Sequence, residues 1–93
     1  MNKKYFCLFV HEERGTISPR FEIVFPKKYF WDIIEFGKVI TLGRFREVIY
    51  SYNVLYFEDR KIADAFATIL KSFGWVSCKD ISDFFDILDK EEN

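Results

Sequence analysis

VIYSYNVLYFEDRKIADAFATILKSFGW, residues 48–75, reads as a strand, a capped turn and a helix that stops on a glycine. Residues 48–57 are dominated by Val, Ile, Tyr, Leu and Phe, side chains that suit a pleated, half-buried surface. Val48, Tyr50, Tyr52, Val54 and Tyr56 fall on one face, and Ile49, Ser51, Asn53, Leu55 and Phe57 on the other. Neither face is plainly polar, which predicts one long central strand covered in part on both sides. Asp59 is placed as a helix N-cap, its carboxylate able to accept from free N–H groups of the first turn. Ile62, Phe66, Ile69, Leu70 and Phe73 then recur at helical spacing, with Ala63, Ala65 and Ala67 on the flanks. Gly74 is the expected left-handed stop, and Trp75 follows where a closing apolar contact often sits.

The rest of the chain is placed around this unit. Upstream, 38–42 reads as a short strand joined to the long one by a Gly43-Arg44 turn. Because the long strand outlasts that partner, its later half is expected to pair with a first strand at 3–10. A polar loop with Gly15 leads to a second strand at 19–25, whose partly alternating faces suit an edge or half-solvated position. Pro26 can open a helix in which Phe30, Ile33 and Ile34 share a face and Gly37 is the stop, with a strand–turn reading of 30–36 as the alternative. Downstream, 76–79 is a connector or strand. Asp80 caps a last helix with Ile81, Phe84, Phe85 and Leu88 as its apolar seam and a tail expected at 90–93. The expectation is an α+β fold: a small, mostly antiparallel sheet of about four strands, with two or three helices packed largely on one face. The order is β-β-α-β-β-α-α, and 1–93 form a single domain.

Composition narrows the function classes. Aromatics make up 20% of the chain and 12 residues are Phe, more than a small core needs, so some are expected at an interface. Net charge is −1, but 1–46 carry nine Lys/Arg against five Asp/Glu while 47–93 carry five against ten. That asymmetry marks either a charged patch or two halves that neutralise each other on folding. Cys7 and Cys78 form neither a CxxC pair nor a zinc spacing, which predicts two reduced, buried apolar thiols in a cytosolic protein. A single disulfide joining the two ends stays open. The apolar run after Lys3 and Lys4 meets His11, Glu12 and Glu13 too soon for a signal peptide, and no stretch has the length of a membrane span. A cytoplasmic location, in the source cell or an infected host cell, is expected.

His11 is the single histidine, and no nucleophile motif, glycine-rich phosphate loop, zinc-protease helix or calcium loop is present. No enzyme, cofactor or metal is therefore expected. Three binding surfaces are candidates. Tyr29, Phe30 and Trp31 are residue types that dominate protein-binding hot spots, and an edge strand at 19–25 could pair with a partner or a second copy. Asp83, Asp86 and Asp89 continue from Asp80 as either an acidic ridge for a basic surface, imitating a phosphate backbone, or the wet face of a helix. Tyr50, Tyr52 and Tyr56, with Arg44, Arg46 and Arg60 near both ends, could stack single-stranded nucleic acid or simply pack across strands.

For the last of these, YSYNVLYFEDRKIADA resembles the third strand and following helix of the RNA-recognition motif over about sixteen residues. Tyr52 and Phe57 stand where that family has aromatics, and Ala63 and Ala65 suit its helix. Tyr50, Ser51 and Val54 depart from its basic, glycine and stacking positions. The resemblance implies binding of single-stranded RNA on a tyrosine-bearing sheet face. The leading expectation is non-catalytic binding to a larger protein, as by a phage or viral inhibitor of a host enzyme or defence complex. RNA binding and acidic mimicry are the alternatives.

Overall fold

The computed structural model describes residues 3–11, 20–40 and 49–92. The strands are β1 (Tyr5–His11), β2 (Arg20–Val24), β3 (Ile49–Ser51), β4 (Val54–Phe57) and β5 (Val76–Cys78). The helices are α1 (Phe30–Ile40), which follows a 3-10 turn at Lys27–Tyr29, α2 (Arg60–Ser72) and α3 (Ile81–Glu92). The fold is α+β, with a mixed five-stranded sheet in the order β3-β4-β2-β1-β5. Three strand pairs are antiparallel and one, β1 with β5, is parallel. β4 therefore runs with β5, and β4–α2–β5 is a βαβ unit whose strands are separated by β2 and β1.

Residues 49–57 form a hairpin, not part of one long strand. Ser51 pairs with Val54 across Tyr52 and Asn53, and the register shifts between Ile49 and Ser51. Asn53 supplies the turn chemistry that alternation alone conceals. Its side-chain oxygen accepts from Ser51 Oγ at 3.1 Å, and its carbonyl accepts from Phe25 N at 3.1 Å. The pairings also differ from expectation. β1 lies between β2 and β5, so the 48–57 stretch does not pair with it. Strand 19–25 is not an edge, because β2 sits between β4 and β1, and the expected partner-strand site there is lost. Gly37 does not stop α1, which runs through it to Ile40, so 38–40 of the expected strand are helical and 41–42 lie outside the described residues. Gly37 is buried. The Gly43-Arg44 turn lies outside the described residues.

The caps are as expected. Asp59 Oδ1 accepts from Lys61 N at 2.8 Å, and Asp80 Oδ1 accepts from Ser82 N at 2.8 Å. Gly74 closes α2 at φ 94°, where Gly74 N donates to Lys71 O and Trp75 N donates to Leu70 O.

The main core lies between one face of the sheet and α1 and α2. Phe6, Phe21, Ile23, Leu55 and Phe57 project from the strands onto Ile33, Phe66 and Leu70, with Ala63 and Ala67 letting α2 approach closely. α3 covers part of the opposite face, where Phe84 packs with Cys7 and Val24. Among the described residues no helix is long and apolar enough to cross a membrane.

Candidate protein-binding surface

The helical repeat of α1 decides what reaches its outer side. Ile33 and Gly37 are buried and Phe30 and Ile34 half-buried, which leaves Trp31, Asp32 and Glu35 exposed. Trp31 is 72% exposed and Tyr52, at the tip of the β3–β4 hairpin, is 68% exposed. The Phe30 ring joins them, edge-to-face with Trp31 at 5.3 Å and with Tyr52 at 5.1 Å between centroids. The hairpin turn thus brings a residue from the expected nucleic-acid row beside two from the expected protein interface. Tyr29 turns the other way. It is half-buried against Trp75 at 5.5 Å, with the Lys4 ammonium 5.5 Å from its ring centre.

On that other side of α1, a surface pocket of about 530 Å³ opens toward the end of α2. Phe36, Ile69, Phe73 and Trp75 form its apolar lining, and Lys4, Asp32 and Glu35 complete it. Phe36 and Phe73 meet edge-to-face at 4.8 Å, yet Phe73 remains 71% exposed. Lys4 Nζ lies 3.2 Å from Asp32 Oδ2 and 5.6 Å from the Trp75 ring centre. This pocket was not foreseen in the sequence. Phe73 reads there as one more member of the α2 stripe, and the available signal was its place beside the glycine stop, where a stripe leaves the sheet.

The remaining candidates do not converge. Tyr56 alternates along β4 with buried Leu55 and Phe57, so it faces away from α1 and α2, and Arg20 lies 5.0 Å from its ring centre. Tyr52 and Tyr56 therefore do not form one row. Arg60 pairs with Asp64 at 3.6 Å on α2. The Tyr50 side chain, Arg44 and Arg46 lie outside what is described. Asp83, Asp86 and Asp89 are exposed on α3, and among the described residues none of the three is in an ion pair.

Cys7 and Cys78 are register neighbours on β1 and β5, and both are free thiols. Burial, then Cys78 and Asp80, push the Cys7 thiol up to about 11, and burial followed by Asp83 raises Cys78. Both shifts run opposite to the depressed pKa that activates a thiol nucleophile. Among the described residues no group of three or more His, Cys, Asp or Glu could hold a metal ion. The chain matches no protein-family model, no curated protein and no solved structure.

Proposed function

We propose that this chain is a small, non-catalytic protein-binding module that docks through the outer side of α1 and the β3–β4 hairpin tip. The observation that carries this reading is the Trp31–Phe30–Tyr52 cluster, in which two of the most exposed aromatic side chains are held together by a third ring. Trp and Tyr are the residues on which binding energy concentrates, and rings already locked against each other lose little freedom on docking. A phage or viral inhibitor of a host enzyme or defence complex, working in the cytosol, would have this form. The RNA-binding reading draws less support, because Tyr52 and Tyr56 leave the sheet on different sides.

The test compares the wild-type chain with Trp31→Ser/Tyr52→Ser as bait in extracts of the source cells, with and without nuclease. Both side chains are largely exposed, so the double variant is expected to fold as the parent does, which circular dichroism checks. A stoichiometric protein partner should survive nuclease and be lost with the double variant. A partner set that vanishes with nuclease, or one the variant retains in full, sinks the proposal.

A further inference from the structure

The pocket beside α1 has a chemistry of its own. Its walls are the rings of Phe36, Phe73 and Trp75, whose faces attract cations. Two carboxylates and one ammonium line it, giving one net negative charge. Lys4 already pairs with Asp32, whereas Glu35 is exposed and makes no ion pair among the described residues. Ile69 and Phe73 stand in the last turn of α2 and at its cap, where the helix end carries partial negative charge. The protein also displays the binding mode within itself. The Lys4 ammonium lies against the Tyr29–Trp75 ring pair, 5.5 and 5.6 Å from their centres, with Asp32 as its counter-charge.

We infer that this pocket seats a guanidinium or ammonium side chain presented by the protein partner, with Glu35 as the counter-charge and Phe36, Phe73 and Trp75 as the walls. The inference rests on the protein-binding reading and names the partner chemistry on the side of α1 away from the Trp31 cluster. An anionic group would meet both carboxylates and the negative end of α2. A neutral apolar group would strip water from Glu35 and return nothing to it. A long cationic side chain satisfies both parts of the pocket, its stem on the rings and its head on the carboxylate. At about 530 Å³ the space takes one such side chain with water around it.

The experiment titrates the folded protein with N-acetyl-arginine methylamide and, separately, with the citrulline analogue, which has nearly the same shape and no charge. NMR follows the Trp75 indole N–H and the Ile69 and Phe73 amides. The arginine compound should give saturable shifts at these three positions, and citrulline should bind about tenfold or more weakly. Glu35→Gln should weaken arginine binding by about tenfold, and Lys4→Met should strengthen it several-fold by removing a competing cation. Equal responses to the two compounds, no response to arginine, or indifference to Glu35→Gln overturns the inference. Trp31 does not line the pocket, so Trp31→Ser should leave this titration unchanged while abolishing partner capture. Capture that depends on Trp31, with arginine shifts blind to Glu35→Gln, overturns the cation seat and leaves the docking face standing. A Glu35-dependent arginine response with capture indifferent to Trp31 does the reverse.

Discussion

Gly74 adopts φ 94°, a conformation that side-chain-bearing residues rarely take. A Cβ at this position would meet nothing within 4 Å, so substitution costs backbone strain and not a clash. Gly74→Ala should therefore lower stability by about 1 kcal/mol, with Gly74→Asn costing less because Asn tolerates the left-handed region. Urea unfolding of the two variants checks this, and an Asn variant no better than Ala would point to a cause other than φ. Single-residue rules of this kind were legible in the sequence. Asp59, Asp80 and Gly74 act on backbone groups within a turn of themselves, so their surroundings need not be known. Gly37 shows the limit of such rules: a glycine closes a helix only where its backbone turns left-handed, and α1 instead runs through it to Ile40.

Among the elements, α2 was the most legible, since its stripe and its caps are encoded in the 13 helical residues and those that directly flank them. The stripe is nonetheless not uniform in the fold. Phe66 is 1% exposed on the sheet, while Ile62 and Phe73 at its two ends are 53% and 71% exposed. Phe66→Ala should cost about 3–5 kcal/mol by emptying the core, and Ile62→Ala about 0.5 kcal/mol or less. Chemical denaturation separates the two, and similar losses at both positions would mean that α2 does not dock as described. The 48–57 stretch was the least legible element. Its side chains favour strand everywhere except at Asn53, and a two-residue turn within such a run leaves the alternation on either side intact. Misreading it hid the site as well, because only the turn carries Tyr52 to Phe30.

At the scale of the whole molecule, strand order was out of reach of a local reading. β5 is three residues long and finds its place by pairing in parallel with β1, about seventy positions away. That pairing sets Cys7 beside Cys78, and α3 follows with Asp80 as its cap and Asp83 in its first turn. A pH dependence follows from this arrangement. Burial and the neighbouring charges favour the neutral thiol of Cys7, moving its pKa from 9.0 to about 11 in the folded chain. The folded state thus keeps a proton that the unfolded state has lost. Stability from this site is intact below about pH 9 and falls as pH rises toward 11. The loss is on the order of 2 kcal/mol, since each tenfold change in proton affinity is worth about 1.4 kcal/mol and the two thiols share part of the effect. Other groups also titrate in this range, so the quantity to measure is a difference in slope. Urea unfolding under reducing conditions, repeated from pH 8 to 11, should show the wild type losing stability more steeply than Cys7→Ala, whatever their offset at pH 8. Parallel curves would mean that Cys7 is not enclosed by β5 and α3, and the assignment of β5 to the β1 edge would fall with it.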